Sequence, residues 1–157
     1  MFFRIMAALG AASASGSFWP QPSIAASEPD LEAVLTAAPD KMPLFPGPLT
    51  GVWRYKGEVV RGDPAQLRDV PDSWLGPIFL VRKGQQVRIR FKNRIPQESI
   101  IHWHGLHVPP EDDGHPRLAV PPGEEYVYDF RVDNRAGTYW YHPHPHGLTG
   151  NQVYGGM

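Results

Sequence analysis

The sequence predicts an all-β domain, a Greek-key sandwich or barrel, and three observations carry that expectation. Its apolar residues come in short runs, without the long 3.6-residue rhythm of an amphipathic helix. Eighteen prolines and sixteen glycines punctuate 157 residues, which suits many tight turns and few long helices. Six or seven strand-like segments follow one another at close spacing, as in sheets packed face to face or closed on themselves.

Residues 1–26 read as an export signal. Arg4 opens it, residues 5–14 are apolar and rich in small side chains, and Ser23-Ile24-Ala25-Ala26 offers a processing site. The apolar run is too short to cross a bilayer, so no membrane span is expected and the mature chain is placed in the periplasm or outside the cell. Residues 27–48 read as a Pro-rich lead-in that wraps the domain, with one short helix over 29–37 on Leu31, Val34 and Leu35. From Leu49 the pattern turns to strands. Residues 50–55 and 58–61 are separated by a hairpin-like break at Lys56-Gly57, and 76–81 is an apolar run before the turn at Lys83-Gly84. Residues 86–93 alternate, with Val87, Ile89 and Phe91 facing inward. Residues 99–104 form the next strand. Pro121-Pro122-Gly123 launches 125–132, where Tyr126, Tyr128, Phe130 and Val132 share a face, and 138–144 closes the series.

Composition excludes several classes of partner. The net charge is −1 and the pI near 6.6, which argues against nucleic acid or an anionic membrane. Ten basic residues gather between Arg54 and Arg94, but Arg88, Arg90 and Lys92 alternate with apolar side chains and read as the wet face of a strand. Glu111, Asp112, Asp113, Glu124, Glu125 and Asp129 read as a solvated acidic surface. There is no cysteine, so no disulfide, thiolate nucleophile, iron–sulfur cluster, Cys-rich zinc module or blue-copper centre can form within this chain.

All seven histidines lie between His102 and His146. Two pairs stand out, His102-Trp103-His104 and His142-Pro143-His144. In an extended strand alternate side chains share a face, so each pair projects together, and two pairs side by side would bring four imidazoles to one pocket. Imidazole nitrogen suits zinc, copper, iron or nickel, and spacing alone does not choose among them or exclude ordinary polar histidines. Pro143 and Pro145 cannot donate to a ladder, so residues 142–146 are expected where the strand leaves its sheet. Proline also stiffens the backbone on which these imidazoles stand.

At these residues the sequence resembles the multicopper oxidases, the family of laccases and bacterial cuprous oxidases. The resemblance runs through His102-Trp103-His104-Gly105-Leu106, Asp113-Gly114, Pro121-Pro122-Gly123-Glu124, Ala136-Gly137-Thr138-Tyr139-Trp140-Tyr141-His142-Pro143-His144 and Thr149-Gly150-Asn151-Gln152-Val153. It covers residues 49–157, in the order of a first cupredoxin domain, and implies a cupredoxin-like Greek-key fold. It also implies roles: His102 as a ligand of a type 2 copper, and His104, His142 and His144 as ligands of paired type 3 coppers. Together these would form half of a trinuclear cluster that reduces O2 to water, fed by one-electron oxidation of a phenolic or Cu(I) substrate. The other ligands would come from further cupredoxin domains of the same protein or of a partner chain. Asp113 matches a position similar to the family's proton relay, against which stands a plain turn acid in Asp-Asp-Gly. His146, His107 and His115 fall outside the ligand positions and read as surface residues, and Trp103 and Trp140 as packing residues.

The chain departs from the family as well. The type 1 copper ligands and the second set of His-x-His pairs are absent, and the sequence stops at Tyr154-Gly155-Gly156-Met157 where relatives continue into a closing strand. The expectation is an incomplete barrel and a fragment inactive by itself. A non-catalytic copper-binding, storage or docking module is the alternative, and a mononuclear zinc site on three histidines is chemically allowed. A metallohydrolase of the His-x-His-x-Asp-His kind is disfavoured, since Leu106 stands where its Asp would be.

Overall fold

The first strand begins well before residue 49. In the computed structural model, which describes residues 28–157, β1 runs over Leu31–Met42. The export signal read at 1–26 lies outside the described residues. After β1 come β2 (Thr50–Arg61), β3 (Leu67–Arg68), β4 (Ile78–Phe79), β5 (Gln86–Asn93), β6 (Ile101–His104), β7 (Glu125–Arg131) and β8 (Trp140–Pro143), and then a short helix, α1 (Thr149–Tyr154).

β1 corrects the helix suggested over 29–37. Leu31, Ala33, Leu35 and Ala37 are each 0% exposed, a burial period of two and not of three or four. Leu31, Val34 and Leu35 fit either pattern in isolation. Pairing decides: β1 is hydrogen-bonded antiparallel to β2 on one side and parallel to β5 on the other, a tertiary arrangement that overrides local preference. The sheet thus reaches back into the stretch read as a lead-in.

β2 is also one continuous strand across Lys56-Gly57, where the sequence suggests a break. Gly57 serves a different purpose. A Cβ there would come within 2.7 Å of Leu67 Cδ2 and 2.8 Å of Pro77 Cγ, so the missing side chain admits the β3–β4 segment against the strand. The apolar run 76–81 contributes only β4, paired antiparallel with β3.

The main sheet has the order β2-β1-β5-β7. β5 follows the predicted alternation, with Val87, Ile89 and Phe91 at 2% exposure or less. Its antiparallel partner β7 buries Tyr128 and Phe130, with Val132 just beyond. Each large apolar side chain so buried contributes about 1.5–3 kcal/mol. On the outer face, Arg88 makes two hydrogen bonds to Asp129, at 2.8 and 2.6 Å, and Arg90 and Lys92 face Glu32 and Glu125. The basic stripe is neutralised locally.

β6 and β8 form a separate antiparallel pair. They pack on the main sheet through Ile101 and Trp103, the Trp103 ring lying 5.3 Å from Tyr128 and 5.8 Å from Phe130. Three side chains fix this pair through polar contacts. The Ile101 N–H donates to Tyr128 Oη at 2.8 Å. The Tyr141 hydroxyl donates to the Pro77 carbonyl at 2.9 Å. Gln152 of α1, fully buried, accepts from Ser99 Oγ at 2.9 Å and donates to the Glu98 carbonyl at 2.8 Å. Buried amides of this kind are retained where both ends are satisfied. The result is an all-β fold, as predicted, in which the β6–β8 pair carries His102, His104 and His142.

Candidate metal centre

The alternation of a strand divides β6 between two duties. Ile101 and Trp103 enter the core, so His102 and His104 must face outward. β8 does the same with Tyr141 and Pro143 inward and Trp140 and His142 outward. The antiparallel register sets His102 opposite His142 and His104 opposite Trp140. One residue past the ladder, the His144 N–H donates to the Ile100 carbonyl at 2.8 Å, so the chain is still extended there although Pro143 ends the strand.

The four imidazoles meet around His102. Its ring centroid lies 5.3 Å from His104, 5.3 Å from His142 and 5.2 Å from His144. His142 is 5.6 Å from His104 and 5.9 Å from His144. Nitrogens of His102, His104 and His142 all lie within 4.8 Å of one another. His104 Nδ1 and His142 Nε2 approach to 3.4 Å.

Backbone carbonyls set two of the tautomers. His102 Nδ1 donates to the Asp113 carbonyl at 2.7 Å, and His142 Nδ1 donates to its neighbour's carbonyl, Pro143 O, at 2.9 Å. Each leaves Nε2 as a lone-pair donor, the arrangement by which outer contacts orient metal-binding histidines. Burial, joined by the neighbouring imidazoles, holds His142 below the usual histidine range, which favours the neutral form a metal requires. Among the described residues, His144 Nδ1 is buried without a hydrogen-bond partner. Converging imidazoles and an orphaned buried nitrogen fit a bound transition metal with nitrogen ligands, copper included.

The carbonyl that orients His102 is there because of Gly114. This residue has φ +76°, and a Cβ would fall 2.0 Å from the Ile101 carbonyl oxygen. Only glycine lets the turn after Asp113 lie on the start of β6. The Asp113 carboxylate is nearby as well, its Oδ1 3.4 Å from His102 Nδ1. With His102, Gly114, His115, Pro116, Arg117, His144 and His146, it lines an open cleft of about 560 Å³.

Several assignments change. Asp112, read as a solvated acid, is 6% exposed and accepts the Asp129 N–H at 2.9 Å; the tight turn that frees Asp113 turns its neighbour inward. Trp103 packs in the core, as read. Trp140 is 57% exposed and packs on imidazoles instead, its ring 4.9 Å from His104 and 4.4 Å from His142. The sequence held a signal for this, since setting His102 against His142 in an antiparallel pair places Trp140 against His104. His115 and His146 are exposed on the cleft, and His107 is exposed beside the turn that follows β6. The roles of Gly114, Tyr128 and Gln152 depend on distant contacts that no local motif announces.

Comparison with known proteins is consistent across sequence and structure. A family model described as multicopper oxidase matches residues 54–157. Multicopper oxidase mco of Staphylococcus aureus is 36% identical over 102 residues, covering 65% of this chain and 23% of that protein. Copper resistance protein A of Pseudomonas syringae pv. tomato is 34% identical over 148 residues, covering 91% of this chain and 22% of that protein. The McoA multicopper oxidase of Aquifex aeolicus superimposes with a TM-score of 0.66 at 38% identity, covering 83% of this chain and 26% of that one. The chain spans about a quarter of the length of these relatives.

Proposed function

The chain belongs to the multicopper oxidase family, and on that premise we propose that it supplies half the ligands of a trinuclear copper cluster. His102 binds the type 2 copper, and His104, His142 and His144 bind the paired type 3 coppers. When loaded, such a cluster supplies the four-electron reduction of O2 to water, driven by one-electron oxidation of a phenolic or Cu(I) substrate at a type 1 copper held elsewhere. The remaining ligands come from other cupredoxin domains, in the same protein or a partner chain. The observation that carries this reading is the His102–His142 register, which gathers four outward imidazoles around one point.

The chain's own residues have definite tasks. The Asp113 and Pro143 carbonyls hold the imidazoles of His102 and His142 with Nε2 free. The Asp113 carboxylate, on the open cleft beside His102, would relay protons one at a time from solvent toward the cluster. The export signal read at 1–26 supports action in the periplasm or outside the cell. Among the described residues no helix is long and apolar enough to cross a membrane.

The test is copper content and O2 consumption of the full oxidase carrying this domain, with His104→Ala and His142→Ala. Each should lose cluster copper and O2 reduction together; retention of both would overturn the reading. The lack of cysteine favours a second reading, a non-catalytic copper-binding module. Stoichiometric copper uptake without oxidase activity in any assembly would select it.

A further inference from the structure

We propose that Trp140 is the positioning residue of His104, holding its imidazole by a ring face where the other three histidines are held by the backbone or by burial. The proposal rests on the reading of these histidines as copper ligands. A ligating histidine almost always gives its second ring nitrogen to an acceptor that fixes its orientation. His102 uses the Asp113 carbonyl, His142 uses the Pro143 carbonyl, and Nδ1 of His144 is buried.

His104 has no such arrangement. It is the exposed member of the four, and among the described residues its hydrogen-bond partner is His142 Nε2, at 3.4 Å. That atom is itself a ligand nitrogen, so it cannot orient His104 once a metal is bound. The torsion about Cβ–Cγ of histidine is soft and roughly two-fold. Left alone, the ring would flip and exchange Nδ1 for a carbon.

Trp140 prevents that motion. It stands directly across the ladder from His104, on the same outward face. Its ring lies 4.9 Å from the His104 centroid at an interplanar angle of 31°, and 4.4 Å from His142 at 34°. These tilted contacts set the indole against one face of each imidazole, in the path of a ring flip. Core packing does not account for Trp140, which is 57% exposed. Its strand neighbours Tyr141 and Pro143 are the side chains that face inward.

The test compares Trp140→Leu, which removes the ring face, with Trp140→Phe, which keeps one. Imidazole nitrogen NMR of the copper-free protein reads ring orientation directly. In Trp140→Leu the His104 ring signals should show two-state averaging while those of His102, tied to Asp113, stay put. Copper(II) affinity, measured against a competing chelator, should fall about tenfold or more. Trp140→Phe should restore both readouts. Unchanged His104 signals in Trp140→Leu would overturn the proposal, as would a Trp140→Phe protein as weak as Trp140→Leu. If the parent takes up no copper, the ligand assignment fails, and the copper-free ring signals still decide the role of Trp140.

Discussion

His102 lies directly across the β6–β8 ladder from His142, their rings 5.3 Å apart. Neither histidine pair makes a site alone. The cluster exists only while two segments remote in sequence stay in register, and that register is enforced from outside the ladder by Tyr128, Gly114 and Gln152.

Copper should stabilise the fold if the four imidazoles bind it together. A copper(II) concentration a hundredfold above the dissociation constant adds about 2.7 kcal/mol, a rise on the order of 5–10 °C in Tm. A chelator should reverse the rise, and His142→Ala should lose most of it. Identical melting curves with and without copper would contradict shared ligation.

Tyr128→Phe removes the hydroxyl that accepts the buried Ile101 N–H. An amide left without a partner in the core costs about 1–3 kcal/mol. The loss should appear as a lower urea midpoint at constant slope, together with weaker copper binding, because Ile101 immediately precedes His102. An unchanged midpoint would mean that the hydroxyl does not anchor β6.

Gly114→Ala meets two penalties at once, a strained positive φ and an overlap with the Ile101 carbonyl. The sum is about 3 kcal/mol or more. The turn must lift to relieve it, taking the Asp113 carbonyl away from His102. Denaturation and copper titration should therefore both show losses. If stability falls while affinity holds, Asp113 does not orient His102.

How much of this the sequence carried varies residue by residue. β5 was legible because Val87, Ile89 and Phe91 alternate with charged side chains, and a surface strand of a sheet looks like that. β1 was not, because Leu31, Val34 and Leu35 satisfy a helical spacing and only pairing on both sides settles the matter. The histidine pairs announced themselves by spacing. The burial of Asp112 beside the half-exposed Asp113 left no trace in composition, since it arises from one backbone turn packed against β6.

Asp112 gives a prediction in pH. Burial raises its carboxyl above the ordinary value near 3.8, partly offset by the Asp129 N–H it accepts. A raised folded value means that the native state holds this proton more tightly than the unfolded chain. Its contribution to stability is therefore complete below about pH 3.8 and is lost as pH rises through the folded value. Asp112→Asn keeps the acceptor oxygen without the charge. It should be more stable than the parent at neutral pH, with the gap closing in acid. A gap that widened in acid would reverse the sign and refute the assignment.

The division of labour along β6, core on one side and imidazoles on the other, also makes the strand intolerant of insertion. Adding or deleting a single residue between Ser99 and Ile101 would rotate every following side chain by half a turn. His102 and His104 would then point into the interior, and Ile101 and Trp103 into water. Homologous domains that keep this site must therefore conserve the count from Ser99 to His104. An alignment gap placed inside that interval marks either a misalignment or a domain that has given up its metal.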